Sequence, residues 1–179
     1  LEIYMGDLDA SGTNDIVLAK HKAPGSTECV PVRGRECSSE QMPFIKDKFK
    51  TYKAFSEADI TTLYGNEQLR KAVHLSARDF RSMVWRNDGG KFTPMPLPSV
   101  AQTAPLRGCV VADVNGDGNK DLITAGNLFG TEVETTRYDA GTGCVLLGDG
   151  KLGFTPMSIA HSGFFADGNV CAVAAIQSN

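Results

Sequence analysis

Two stretches of this chain obey one rule: a short apolar run, nine residues rich in Asp, Asn, Gly and small hydroxyls, then a second apolar run. The first is LEIYMG, DLDASGTND, IVLAK (1–20) and the second GCVVA, DVNGDGNKD, LITAG (108–126), so Asp7 and Asp113 hold equivalent places, 113 − 7 = 106 residues apart. Short apolar runs bounded by turn residues read as strands, and two runs joined by such a loop read as an antiparallel pair. That pattern, met twice, predicts a mainly β chain built from related units.

A second unit recurs with it. VWRNDGGKFTPMPLP (84–98) and VLLGDGKLGFTPMSI (145–159) each run from an apolar strand through an Asp-Gly turn to Phe-Thr-Pro-Met, with the tetrads starting at Phe92 and Phe154. Asp-Gly between alternating apolar residues is a strong hairpin signal. SGFFADGNVCAVAAI (162–176) resembles the 108–126 stretch with its middle removed, and predicts a third strand–turn–strand copy lacking the acidic series. Strand-only units at a spacing of roughly 40 to 60 residues are the signature of a propeller or solenoid. The expected fold is mainly β: about three propeller-like blades in an incomplete ring, residues 1–179 forming a single propeller segment whose first copy is truncated at its start. The loop 126–143, rich in Gly and Thr, links the second and third copies.

One stretch has a different texture. Residues 38–75, SSEQMPFIKDKFKTYKAFSEADITTLYGNEQLRKAVHL, read as a helical insertion in the β scaffold. Ser56 and Asp59 form an acidic capping box, and Glu57, Ala58, Leu63, Leu69, Ala72 and Val73 suit one or two short helices broken at Gly65. Upstream, Pro43 must lie in the first turn of any helix it joins. The aromatics Phe44, Phe49, Tyr52, Phe55 and Tyr64 are expected to pack rather than to form a ligand platform.

The acidic loops carry the chemistry. Hard cations such as Ca²⁺ take six to eight oxygens, and side chains from alternate positions plus a backbone carbonyl wrap such an ion. In the second loop the candidates are Asp113, Asn115, Asp117, the carbonyl of Asn119, and Asp121, with Gly118 permitting the turn. In the first they are Asp7, Asp9, Ser11, the carbonyl of Thr13, and Asp15, a weaker set because a hydroxyl replaces the central acid. The opening positions match an EF-hand, but an EF-hand needs a bidentate Glu at position twelve, where these loops have Thr124 and Leu18, and both flanks are β-like. The expected site is a calcium loop between strands; the alternative is an Asx-rich turn without metal.

DVNGDGNKDLITAG and GDLDASGTNDIVLA resemble the FG-GAP repeats of integrin-type β-propellers, and the wider pattern resembles bacterial VCBS-repeat proteins. RECSSEQMPFIKDKF, YGNEQL, NDGGKFTPMPLP, AGNLFGTEVETTRYDAGTGCVLLGDGKLGFTP and SGFFADGNV are similar to the C-terminal portion of large exported proteins of that kind. The resemblance implies a propeller with structural Ca²⁺ in its blade loops, extracytoplasmic location (periplasmic, secreted or cell surface), and binding rather than chemistry. Ser11 and the site-less ADGN turn depart from that pattern. With the insertion removed, about 140 residues remain, enough for about three blades where closure needs at least four. The chain is therefore expected to belong to a larger propeller or to complete itself by association, with a protein or glycan ligand.

Composition narrows the classes. With 41% hydrophobic and 22% charged residues and a formal net charge of −3, the chain is that of a globular protein with no basic excess for nucleic acid. No apolar run is long enough to span a bilayer, and LEIYMGDLD lacks the features of a signal peptide, so with Leu1 in first place the chain is expected to be a processed product or an excised piece. None of the five cysteines forms a CxxC pair; Cys29 and Cys37 bracket a loop that either a disulfide or two unpaired thiols would suit, and Cys109, Cys144 and Cys171 read as buried small hydrophobes. His21, His74 and His161 are far apart and lie in no catalytic motif, so no enzyme is expected. The enzymatic alternative is a glycan-active protein using the propeller to bind substrate, with Arg137, Tyr138 and Asp139 lining a cleft; a loop salt bridge is the simpler reading of these three.

Overall fold

The computed structural model describes residues 1–132 and 135–176. Strand exceeds helix, 32% to 21%, and the strands form three antiparallel sheets, none closed on itself. The chain divides into two compact units, 1–80 and 81–179.

The first unit opens with β1 (Glu2–Gly6) and β2 (Asp15–His21), paired so that Gly6 faces Asp15 and Glu2 faces Ala19. β3 (Cys29–Pro31) adds to the far side of β2. Five short helices follow: α1 (Arg35–Gln41), α2 (Phe44–Lys48), α3 (Tyr52–Ser56), α4 (Ile60–Tyr64) and α5 (Asn66–Lys71). β4 (Val73–Ser76) then returns to pair with β1, giving the order β3-β2-β1-β4.

The helices are short because a start or stop signal arrives every few residues. Pro43 opens α2; the Thr51 hydroxyl accepts from the Ala54 amide and caps α3; the Asp59 carboxylate accepts from the Thr62 amide at 2.7 Å and caps α4; Gly65, at φ 89°, ends α4 and begins α5. The expected capping box is not formed as such, since Ser56 ends α3 and donates its hydroxyl to the Lys53 carbonyl while Asp59 caps by itself. The helical stretch spans Arg35 to Lys71, so Val73 at its expected end is a strand residue. Helices this short are not stable alone. Met42, Ile45, Phe49, Phe55, Ile60, Leu63, Tyr64 and Leu69 bury against Leu8, Val17 and Ala19 on one face of the sheet. Of the aromatics expected to pack, Tyr52 does not: it is 65% exposed and hydrogen-bonds Glu36.

The other face of this sheet is also apolar. Ile3 lies opposite Leu18 and Leu75, and Met5 opposite Ile16 and Val73. Met5, Ile16, Val73 and Leu75 are exposed.

In the second unit β5 (Met83–Asp88) and β6 (Lys91–Pro96) form a hairpin whose two-residue turn, Gly89-Gly90, takes positive φ at both positions, as a turn matching strand twist requires. A 3-10 turn (Ser99–Gln102) leads to β7 (Leu106–Ala112), β8 (Asp121–Gly126), β9 (Cys144–Gly148) and β10 (Phe154–Met157), which pair in order as a meander. Leu97, Ala101, Leu122, Cys144 and Leu146 form its core, with Val84, Leu106 and Phe154 against them. A single helical turn, α6 (Ile159–Ser162), follows.

Beyond α6 the expected third copy is not built: residues 163–176 contain no strand. Their backbone bonds singly, Ala166 N–H to the Thr142 carbonyl and Val170 N–H to the Gly126 carbonyl, instead of forming a ladder. The ADGN turn is pinned by buried Asn127, whose Nδ2 donates to the carbonyls of Gly141, Asp167 and Gly168. Part of the expected loop 126–143, at 133–134, lies outside the described residues. Among the described residues no helix is long and apolar enough to cross a membrane.

Candidate metal loops and a polar cluster

The two acidic loops have the same construction. Each leaves its sheet at an equivalent pair, Gly6 with Asp15 and Ala112 with Asp121. Asp7 accepts from the amide of Gly12 at 2.9 Å and Asp113 from that of Gly118 at 2.9 Å; Asp15 accepts from Leu8 at 3.0 Å and Asp121 from Val114 at 2.8 Å. Gly12 and Gly118 take φ near 87°, and Ala10 adopts φ 60° where the second loop has Gly116 at 79°. An alanine in the left-handed region is costly, so the loop's other bonds hold it there.

These bonds converge carboxylates. In the first loop one oxygen from each of Asp7, Asp9 and Asp15 lies within 4.8 Å of the others. Ser11 donates its amide to both Asp7 and Asp9, and its hydroxyl bonds that of Thr13 at 2.9 Å. In the second, Asn115 and Asp117 are tied side chain to side chain at 3.0 Å, and Asp117 accepts from the Asn119 amide at 2.7 Å. Those contacts, the backbone one first, hold the Asp117 carboxyl below its usual range. Among the described residues, the close carboxylate trio belongs to the first loop, the weaker of the two by its sequence. Asp15 and Asp121 are buried, 3% and 0% exposed. Asp121 also accepts from the Gly148 amide, joining the loop to β9. Among the described residues no Lys, Arg or His forms an ion pair with any loop aspartate. Such converging, unneutralised acids repel each other unless a cation joins them.

The structure assembles a second polar group that the sequence did not reveal. On the face of the first sheet that carries Val17 and Ala19, the buried Glu2 carboxylate accepts from Ser76 and lies 2.7 Å from His74 Nε2 and 3.4 Å from His21 Nε2. These contacts, Ser76 foremost and then His74, lower the Glu2 pKa to about 2 against the penalty of burial. His74 stacks on Tyr4 with ring centroids 4.3 Å apart, and His21 Nδ1 is 3.6 Å from Cys29 Sγ. Cys29 and Cys37 are not joined in a disulfide, and Cys109 and Cys171 are exposed rather than buried. The sequence showed His21, Cys29 and His74 singly but not their grouping, since Glu2 lies 72 residues from His74.

Arg137 Nε pairs with Asp139 at 3.1 Å and stacks over Phe129, and Tyr138 bridges to Leu128 through its backbone, the arrangement of a loop salt bridge.

No family model, no curated protein and no solved structure matches this chain.

Proposed function

We propose that the chain is a calcium-stabilised binding or scaffolding module, a segment of a propeller-like assembly of the FG-GAP or VCBS kind, working outside the cytoplasm on a protein or glycan ligand. The observation that carries this reading is the pair of loops 106 residues apart with matching bonds and matching left-handed positions, their acids in no ion pair with a cationic side chain among the described residues. Ca²⁺ is the ion that oxygen-only donors on a flexible loop suit. Held by Asp7, Asp9, Ser11, Thr13 and Asp15 in one loop and by Asp113, Asn115, Asp117, Asn119 and Asp121 in the other, it would tie strand to strand.

The scaffold part of the proposal draws on the first sheet. Blades of a propeller are covered on both faces, and a sheet with one face under helices and the other lined by exposed Met5, Ile16, Val73 and Leu75 suits a unit that has a neighbour in its full setting. Ligand binding falls to loops and to the cavity of about 520 Å³ between Val84, Val111, Leu122 and Phe154, beside Gly118 and Asn119 of the second acidic loop.

Thermal melts with calcium and with chelator test the metal. The melting temperature should rise by several degrees in millimolar calcium, with magnesium less effective. Superimposable melts would remove calcium from the account.

A further inference from the structure

The polar cluster of the first sheet goes beyond that reading. Register places its members on four neighbouring strands: Cys29 of β3 opposite His21 of β2, Glu2 and Tyr4 on β1, and His74 and Ser76 on β4. A cavity of about 390 Å³ opens beside it, lined by Tyr4, Cys29, Asn66, Arg70 and His74. One neutral tautomer of His21 satisfies both its neighbours: Nδ1 accepts from the Cys29 thiol at 3.6 Å and Nε2–H points to the Glu2 carboxylate at 3.4 Å. Glu2 is buried and held on its other oxygen by His74 and Ser76, so it stays ionised and fixed while Cys29 lines the cavity and His21 is about half exposed.

We propose that Cys29, His21 and Glu2 form a thiol nucleophile, its general base and the carboxylate that positions the base, and that the adjoining cavity takes a small activated acyl ester. Thiol, imidazole and carboxylate in sequence, with Cys29 Sγ 3.6 Å from His21 Nδ1 and His21 Nε2 3.4 Å from Glu2, are the arrangement that acyl transfer uses. Burial first, and the Glu2 carboxylate next, push the Cys29 thiol up, so the thiol rests protonated. The proton therefore leaves Sγ for His21 Nδ1 as the sulfur attacks the acyl carbon. The C–O bond of the ester breaks, His21 returns the proton to the departing alkoxide, and Cys29 is left as a thioester; water, deprotonated by His21, then releases the acid and restores the thiol. Arg70 and Asn66 supply N–H donors on the wall of the cavity for the carbonyl oxygen.

The test uses the whole chain with p-nitrophenyl acetate, and its internal standard is the set of other free thiols. Peptide mass mapping should place the acetyl group on Cys29 at least about ten times faster than on Cys109 or Cys171, which are more exposed. His21→Ala should slow acetylation of Cys29 by about 100-fold, with added imidazole restoring much of it. Glu2→Gln should shift the pH profile of that acetylation; the groups facing Cys29 and His21 are His74 and Ser76 from β4, Tyr4 from β1, the Leu1 N-terminal ammonium, and Asp59 ahead of α4. Preferential label on Cys109 and Cys171 in the wild-type chain would overturn the proposal without any variant, and so would a Cys29 rate indifferent to loss of His21. If a metal ion bound at Cys29 and His21 blocks acetylation and only its chelation exposes the thiol, the site is a metal site and the nucleophile assignment falls.

Discussion

Replacing Glu2 by Gln removes the charge at the hub of the cluster while keeping its size. The native carboxyl sits at about 2 against an ordinary 4.5, so its interactions favour the ionised form in the folded state. A shift of about 2.5 units corresponds to about 3 kcal/mol, and because His21 and His74 are about half exposed, screening brings the contribution to on the order of 1–2 kcal/mol. A depressed acid contributes fully above its unfolded value of about 4.5, and that contribution fades as pH falls toward about 2. Urea unfolding followed at 222 nm is the assay, because α1 to α5 all lie in the first unit and dominate that signal. At about pH 6 the Gln variant should unfold at lower urea, by on the order of 1–2 kcal/mol, and the gap should narrow below about pH 4.5 and close as pH falls through about 2. A gap that is absent at pH 6, or that persists unchanged into acid, would refute the assignment of Glu2 as a charged anchor.

Leu146 is fully buried at the centre of the second sheet, so Leu146→Ala should cost about 2–5 kcal/mol in urea unfolding followed by Trp85 fluorescence, the sole tryptophan and part of that unit. Asn127 holds φ 84° and bonds three carbonyls; Asn127→Ala should cost about 2–4 kcal/mol by the same probe, and Asn127→Gly, which accepts the backbone angle, should recover about 1 kcal/mol of that.

What was legible in the sequence was local chemistry. The acidic loops, the Gly89-Gly90 hairpin, the β9–β10 hairpin and the stop at Gly65 all follow from turn and cap residues acting over a few positions, and the equivalent places of Asp7 and Asp113 go with equivalent closing pairs, Gly6 with Asp15 and Ala112 with Asp121. What was not legible was choice of partner. β4 was read as the tail of a helix because VHLS follows a helical run without a break, and only competition for the open edge of β1 makes it a strand. The Glu2 cluster depends on that pairing, so it was hidden with it. The 162–176 stretch carries strand-like residues but is drawn into single bonds around Asn127, which no periodicity foretells. Between acidic loop and Phe-Thr-Pro-Met tetrad the offset is 92 − 7 = 85 residues in the first copy and 154 − 113 = 41 in the second, and the helical stretch of 71 − 35 + 1 = 37 residues accounts for most of the difference of 44.

The most direct measurement of the central claim is a calorimetric titration of calcium into the whole chain, compared with Asp7→Ala and Asp113→Ala. Two sites per chain are predicted, each variant losing one, with dissociation constants of about 10⁻⁴ to 10⁻³ M as in extracellular modules. No saturable binding at millimolar calcium, or binding that both variants leave intact, would contradict the account.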